Sequence, residues 1–139
     1  MSPGAIHYVA ALISEHKTQL HHSAYICRLS HLMSKKHFIL RLIPPRPDFA
    51  QTMTETERAI MQQHLAYWKA WMDKGKVIVF GPVLDPAGVY GLGIVAVDSQ
   101  EEVLDLMKSD PAAAINRYEY HPMMAVVWEG FEPVGSNGV

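Results

Sequence analysis

The sequence predicts an α+β fold, because segments with the properties of strands and helices follow one another in a regular order along the chain. Strand-like apolar segments lie near residues 37–43, 76–80, 90–97 and 117–128. Helix-capping motifs begin at Thr54 and at Ser99, the first between strands one and two and the second between strands three and four. The order strand, helix, strand, strand, helix, strand is that of the ferredoxin-like βαββαβ plait, an antiparallel sheet with both helices on one face.

The first strand and the first helix have clear boundaries. The strand over 37–43 ends at two consecutive prolines, which cannot continue a hydrogen-bonded ladder. Residues 44–53 are expected to form a loop. Thr54 then serves as the N-cap of the helix, and the side chain of Glu57 reaches back to complete a capping box.

The body of this helix carries an apolar stripe. The stripe recurs with a helical period in Met61, Leu65, Trp68 and Met72. His64 flanks it, so the imidazole is predicted to lie on the apolar side of the helix. Gly75 is expected to end the helix in a left-handed conformation.

A β-hairpin is predicted in the middle of the chain. Its first strand covers 76–80 and ends at Gly81-Pro82. The cluster Asp85-Pro86-Ala87-Gly88 is a turn, and the strand over 90–97 follows it.

The second helix and the last strand complete the pattern. Ser99-Gln100-Glu101-Glu102 is a second capping box, and the helix that it opens ends near Ser109. Pro111 fits the first position of a further short turn. The last strand covers 117–128 and is interrupted at Pro122.

The chain is predicted to contain one domain and two flanking segments. Residues 1–32 hold five of the eight histidines, few charges and no clean periodicity, whereas Met33-Ser34-Lys35-Lys36 leads directly into the first strand. We therefore expect an N-terminal extension over 1–32, one domain over 33–130 and a flexible tail over 131–139.

Composition excludes several classes of protein. With 49% hydrophobic and 19% charged residues, the chain is globular rather than disordered. A net charge of -2 is too small to attract nucleic acid or an acidic membrane. The sequence also contains no run of about 18 apolar residues that could span a bilayer. The single Cys27 excludes an intramolecular disulfide. We expect a cytoplasmic protein.

Neither a metal nor a cofactor is predicted. The spacing of His16, His21 and His22 puts no two of them at the i, i+4 distance that a chelating pair prefers. The sequence contains no phosphate-binding loop of the G-x-x-x-x-G-K-[ST] type and no H-E-x-x-H motif. Gly91-Leu92-Gly93 lies inside a predicted strand and lacks the third glycine and the helix of a dinucleotide fingerprint.

One pair of residues is a candidate for acid–base chemistry, namely His64 and Asp110. His64 lies within the first helix and Asp110 just past the end of the second. An unpaired buried imidazole costs about 1–3 kcal/mol, and a carboxylate beside it would fix its tautomer and make it a proton-transfer group near neutral pH. A structural role stays open for each residue. His64 could be a core histidine that is hydrogen-bonded to the backbone, and Asp110 could be the N-cap of the turn at Pro111.

Three further residues are candidates for binding a substrate. Arg41, inside the first strand, could hold a carboxylate bidentately. Tyr67 and Trp68 could form an aromatic wall, although aromatic residues at helical spacing commonly belong to the core, and a strand arginine can simply be solvated.

The first strand is apolar on both sides and so predicts a second covering layer. Phe38, Leu40 and Leu42 alternate with Ile39, Arg41 and Ile43. Since the helices cover only one face, a second copy in a two-fold dimer is the expected cover of the other. The alternative is that residues 1–32 fold back over this face.

Residues 36–128 resemble the YciI-like (YCII-related, or DGPF) family, which forms a dimeric α+β barrel. The matching features are His64, Gly75 with Gly81-Pro82, Ser99-Gln100-Glu101-Glu102, Asp110-Pro111 and the last strand to Val127. The resemblance implies a homodimer with a His–Asp pair beside a pocket, carried onto His64 and Asp110. It implies an enzymatic role without defining the reaction, and some relatives are similar to dehalogenating or lactone-handling enzymes of aromatic breakdown.

These features together predict a small-molecule enzyme that uses His64 and Asp110 for cofactor-free general acid–base chemistry of isomerase, lyase or dehydrochlorinase type. The resemblance suggests an aromatic compound or a lactone as the substrate. The alternative is a non-catalytic module for ligand binding or dimer formation, in which the same pair only secures the packing of the helix against the loop.

Overall fold

The computed structural model describes residues 22–24, 26 and 35–128 of the chain. The chain divides after Lys35 into two units, and the elements described below all belong to the second. The predicted extension over 1–32, apart from 22–24 and 26, and the predicted tail over 131–139 lie outside the described residues.

Strands and helices alternate in the predicted order within the described domain. The strands are β1 (Lys36–Ile43), β2 (Val77–Val83), β3 (Tyr90–Val97) and β4 (Arg117–Met123). The α-helices are α1 (Phe49–Thr52), α2 (Glu55–Asp73) and α3 (Gln100–Ser109), and a 3-10 helix (Pro111–Ala114) follows α3. Apart from the short helices α1 and Pro111–Ala114, the order is that of the βαββαβ pattern.

The described strands form one antiparallel sheet in the order β2-β3-β1-β4. The predicted α+β fold is therefore confirmed, and the strand order is consistent with a ferredoxin-like plait. At the centre of the sheet, Leu40 of β1 lies opposite Gly93 of β3 on one side and Tyr120 of β4 on the other. The edge positions belong to β2 and β4.

The core lies between one face of the sheet and helices α2 and α3. Alternate residues of β1 are buried on this face, namely Phe38, Leu40 and Leu42. From α3, Val103 and Leu106 are fully buried against the sheet, and from α2, Trp68 keeps only 3% of its surface exposed. Burial of these side chains is what holds the helices to the sheet.

The first helix boundary is confirmed in detail. The Thr54 hydroxyl accepts a hydrogen bond from the Glu57 amide at 3.2 Å, and the Glu57 carboxylate accepts one from the Thr54 amide at 2.9 Å. The hydrogen bond from Arg46 and the bond from Thr54 together lower the pKa of Glu57 to about 2. At the other end, Gly75 has a φ of 74°, the predicted left-handed conformation.

The second capping motif differs from the predicted capping box in one hydrogen bond. Ser99 accepts from the Glu102 amide at 3.3 Å, as expected. However, the Glu102 carboxylate accepts from the amide of Asp98, not from that of Ser99, and also pairs with Lys76 at 2.7 Å. Its attachment to Lys76, directly before β2, ties the start of α3 to the sheet.

Three predicted boundaries were wrong. The predicted loop over 44–53 contains the short helix α1, whose Phe49 is only 4% exposed; four residues are too few to show a helical period. β2 does not end at Phe80 but continues through Pro82, and β4 continues through Pro122 before ending at Met123. Both are edge strands, where proline is tolerated because one side of the strand needs no hydrogen-bond donor.

The apolar stripe predicted along α2 is only partly directed inward. Trp68 is buried as expected, but Leu65 is 57% exposed. The side chain of His64, in contrast, is only 15% exposed. The reason is a cavity between the first half of α2 and the sheet, whose edge Leu65 lines.

Two glycines of β3 create the space for Trp68 and for this cavity. A Cβ atom on Gly93 would lie 2.4 Å from Cζ3 of Trp68, so only glycine allows the indole to rest on the strand. A Cβ atom on Gly91 would lie 3.1 Å from Cβ of Leu42. The Gly91-Leu92-Gly93 segment is therefore a packing feature of the sheet.

We expect Gly93→Ala to lower the free energy of unfolding by about 1–3 kcal/mol, because the added methyl group overpacks the core against Trp68. Gly81→Ala is the matched control, since a Cβ atom there would meet no heavy atom within 4 Å. Urea denaturation of the two variants checks this expectation. Equal stabilities would contradict the proposed contact between the glycine and the indole.

Candidate active site

Three elements bring the polar groups of the site together. His64 lies near the middle of α2, Asp110 at the junction between α3 and the 3-10 helix, and Tyr118 near the start of β4. Helix α2 and the 3-10 helix pack against each other, so that side chains distant in sequence meet behind the cavity. The predicted meeting of His64 and Asp110 is confirmed.

Asp110 is the centre of this group, and only 3% of its surface is exposed. Its Oδ2 atom accepts hydrogen bonds from His64 Nδ1 at 2.7 Å, from Trp68 Nε1 at 3.0 Å and from the Tyr118 hydroxyl. Its Oδ1 atom accepts from the Ala112 amide at 2.9 Å and so caps the 3-10 helix. One oxygen of Asp110 thus caps the 3-10 helix while the other contacts His64, as the sequence analysis allowed.

These donors keep Asp110 ionised in spite of its burial. Burial alone would raise the pKa of this carboxyl group, but the hydrogen bonds from His64, from Tyr118 and from the backbone outweigh it and hold the pKa below its usual range. A buried carboxylate therefore faces the imidazole at neutral pH.

The ionised carboxylate determines the tautomer of His64. An ionised carboxylate only accepts hydrogen bonds, so Nδ1 of His64 must donate and carries the proton. In the neutral ring Nε2 is then an acceptor. Nε2 makes no hydrogen bond with the described part of the chain, and His64 lines the cavity, so this lone pair is free to meet a ligand.

Tyr118 acts as a fixed hydrogen-bond donor to the pair. Burial raises the pKa of Tyr118, and the neighbouring charge of Asp110 raises it further, so the phenol stays protonated. Its hydroxyl donates to Asp110 and accepts from Trp68 Nε1 at 3.0 Å. The sequence analysis missed Tyr118, because nothing in a strand tyrosine distinguishes this role before the fold is known.

The cavity in front of His64 has a volume of about 380 Å³ and is mostly apolar. Apolar side chains from the sheet and from α1 and α2 line it, including Leu40, Leu42, Phe49, Met61 and Phe80. The backbone of Gly91 and Gly93 contributes to the same lining. The volume lies within the range of pockets that hold small molecules.

Asn116 is a second polar group of the cavity that the sequence analysis missed. Its Nδ2 atom donates to the Ala112 carbonyl at 3.0 Å and lies 3.5 Å from the sulfur of Met61. Because a carbonyl can only accept, this contact fixes which end of the amide is nitrogen. The oxygen of Asn116 has no hydrogen-bond partner among the described residues.

Two of the three predicted substrate-binding residues do not line the cavity. Trp68 lines it, as expected of a binding residue, and is also a core residue. The Tyr67 hydroxyl donates to the carbonyl of Leu106 at 2.9 Å and so fastens α2 to α3. Arg41 pairs with Glu119 at 3.2 Å and lies over the ring of Tyr90.

The described residues contain no group of three or more His, Cys, Asp or Glu side chains that could hold a metal ion. In the same part of the chain, none of the helices combines the length and the apolar character that a membrane crossing requires.

The sheet topology and the His–Asp pair beside an apolar cavity define a small α+β protein with a candidate ligand site. The sequence profile of the YCII-related domain matches residues 37–126. The chain belongs to this family, which confirms the resemblance seen in the sequence. No curated protein matches the chain.

We expect Asp110 to make folding sensitive to acid. Because its pKa is lower in the folded than in the unfolded chain, the unfolded chain binds the proton more readily. The resulting stabilisation is complete above the ordinary aspartate pKa of about 4 and is lost as the pH falls through the lower folded value.

Asp110→Asn removes this effect, and we expect it to cost about 1.5–3 kcal/mol at neutral pH, the range for hydrogen bonds to a charged group. Urea denaturation at several pH values should show the difference from the wild type shrinking below about pH 4. Asp105→Asn, on the exposed side of α3, is the matched control. A difference that stayed constant with pH would contradict an ionised Asp110.

Proposed function

We propose that this protein is an enzyme that carries out cofactor-free general acid–base chemistry on a small molecule. His64 transfers the proton through Nε2, and Asp110 orients the imidazole. Isomerisation, lyase-type elimination and dehydrochlorination are the reaction types that such a group serves.

One observation carries the proposal. His64 donates from Nδ1 to a buried carboxylate at 2.7 Å, while its other nitrogen has no partner in the described chain and the ring borders a cavity. A histidine that served packing alone would not need to line a cavity with one ring nitrogen left without a partner in the described chain. This arrangement of a base and its orienting group is the geometry of histidine general bases.

The chemistry follows from this geometry. Nε2 takes a proton from the bound substrate, and the ring becomes an imidazolium whose charge the ionised Asp110 stabilises. The same nitrogen then returns the proton to another atom of the substrate, or releases it after a leaving group has departed. The apolar lining strengthens the attraction between the imidazolium and the carboxylate.

A second function, as a non-catalytic ligand-binding or scaffold module, is favoured by the other contacts of Asp110. The carboxylate caps the 3-10 helix and accepts from Trp68 and Tyr118, so it would be needed for packing without any reaction. Only a variant that keeps these contacts and alters the free nitrogen separates the two functions.

We further propose that the protein is a two-fold homodimer in which the second copy covers the face of the sheet opposite the helices. On this face Val79, Ile94 and Ile39 form an apolar row across three strands. Val79 is 49% exposed in the single chain. A second copy is the simplest cover for such a surface.

The first expected outcome concerns His64→Gln, which keeps a polar side chain of similar size but removes the titratable nitrogen. The variant should stay within about 1 kcal/mol of the wild type in stability, since the glutamine amide can still donate one hydrogen bond to the Asp110 carboxylate. Turnover of a substrate identified by screening should fall by about 10²–10⁴-fold. Steady-state kinetics together with urea denaturation measure both quantities.

His121→Gln is the matched control, because His121 is exposed on β4 and does not line the cavity. It should leave turnover unchanged. If His64→Gln unfolds the protein or leaves turnover intact, His64 is a structural residue and the scaffold function is the better account.

The second expected outcome concerns the dimer. Light scattering should give twice the chain mass of 15.6 kDa, and Val79→Lys should shift the protein toward the monomer because it places a charge in the apolar row. Leu84→Lys is the matched control, since Leu84 is 79% exposed in the loop after β2. A wild-type protein that is monomeric at micromolar concentration would contradict the proposal.

A further inference from the structure

We propose that the cavity selects an uncharged, mainly apolar molecule that carries a hydroxyl group and rejects carboxylates of the same skeleton. The reaction at His64 rests on the proposed function, whereas this selectivity rests on the lining of the cavity alone. It also assigns Arg41 a role outside substrate binding.

The first argument is the absence of a cation. Among the described residues, no Asp, Glu, Lys or Arg lines the cavity. The arginines that the sequence places near the first loop are engaged elsewhere. Arg41 pairs with Glu119, and Arg46 makes a two-pronged contact with Glu57 at 2.8–2.9 Å. A carboxylate in the cavity would lose its hydration without gaining a permanent positive partner.

The second argument is the charge behind the cavity wall. The ionised Asp110 lies directly behind His64, Trp68 and Tyr118. In a mostly apolar surrounding its negative charge is weakly screened, so it repels a second anion. An uncharged ligand experiences neither this repulsion nor the loss of ionic hydration.

The third argument is the hydrogen-bonding character of the polar end. The neutral ring of His64 presents the lone pair of Nε2, and Asn116 has used its amide nitrogen on the Ala112 carbonyl. Both residues line the cavity, and on each of them the side-chain atom without a partner in the described chain is a hydrogen-bond acceptor. The complementary group is a donor, and on an otherwise apolar molecule a hydroxyl group is the simplest one.

The test uses three probes with one carbon skeleton, titrated calorimetrically into the full chain at neutral pH. 2-Naphthol is uncharged and donates, 2-methoxynaphthalene is uncharged and cannot donate, and 2-naphthoate is an anion. We expect 2-naphthol to bind at least about tenfold more tightly than 2-naphthoate and about three- to tenfold more tightly than 2-methoxynaphthalene.

Three outcomes overturn the inference, two of them as a whole and the third in its hydroxyl requirement. The first is 2-naphthoate binding as tightly as 2-naphthol or more tightly, and the second is the failure of 2-naphthol to bind. Equal binding of 2-naphthol and 2-methoxynaphthalene overturns the hydroxyl requirement.

A charge variant tests the cause of the selectivity. Leu65→Lys places an ammonium group at the edge of the cavity and should tighten 2-naphthoate binding by about three- to fivefold, the effect of a partly exposed ion pair. Leu104→Lys is the matched control, because Leu104 is 43% exposed on α3 and does not line the cavity. If both variants change 2-naphthoate binding equally, overall charge and not the lining is the cause.

His64→Gln separates this inference from the proposed function. The preference for 2-naphthol over 2-naphthoate should persist in this variant, since it depends on the missing cation. If turnover survives the substitution, the catalytic proposal fails while the selectivity stands. If the wild type prefers 2-naphthoate but turnover still requires His64, the inferred ligand selectivity is wrong while the proposed function stands.

Discussion

The buried carboxylate of Asp110 is the constraint on which the rest of the site depends. Removing a carboxylate from water is costly unless its oxygens find donors. Here a histidine and a tryptophan of α2, a tyrosine of β4 and the amide of Ala112 provide them. The carboxylate thus joins the long helix, the last strand and the 3-10 helix, and with them it fixes the orientation of His64.

The shape of the cavity depends on a second constraint, the contact between Trp68 and Gly93. Because the indole rests on β3 at Gly93, a residue without a side chain, its Nε1 atom reaches both Asp110 and Tyr118 at 3.0 Å. The same ring forms part of the cavity lining. Core packing and the candidate site are therefore one structure, and a change at Gly93 is transmitted to the carboxylate through a single side chain.

The sequence predicted the elements that short-range rules determine. Thr54, Glu57 and Gly75 lie within a few residues of the groups they cap, so local chemistry identified both ends of α2. The pairing of His64 with Asp110, 46 residues apart, was predicted from their placement within one helix and past the end of another, together with the family resemblance. Resemblance could supply it because relatives share the fold that brings the two together.

The features that could not be predicted from the sequence depend on long-range packing. Tyr118 and Asn116 acquire their roles only when β4 and the 3-10 helix meet α2, and no local pattern distinguishes them. Leu65 belongs to the predicted apolar stripe but is exposed, because periodicity identifies an apolar stripe and not a cavity beneath it. The extension of β2 through Pro82 depends likewise on its edge position, which only the assembled sheet defines.

The most direct test of the central claim is the tautomer of His64, measured by nitrogen NMR of the labelled imidazole at a pH where the ring is neutral. The account predicts that Nδ1 carries the proton and Nε2 is unprotonated in the wild type, and that Asp110→Asn shifts the ring away from this state. A wild-type His64 in the Nε2–H form would contradict the account, because Nε2 would then have no lone pair with which to accept a proton from a ligand.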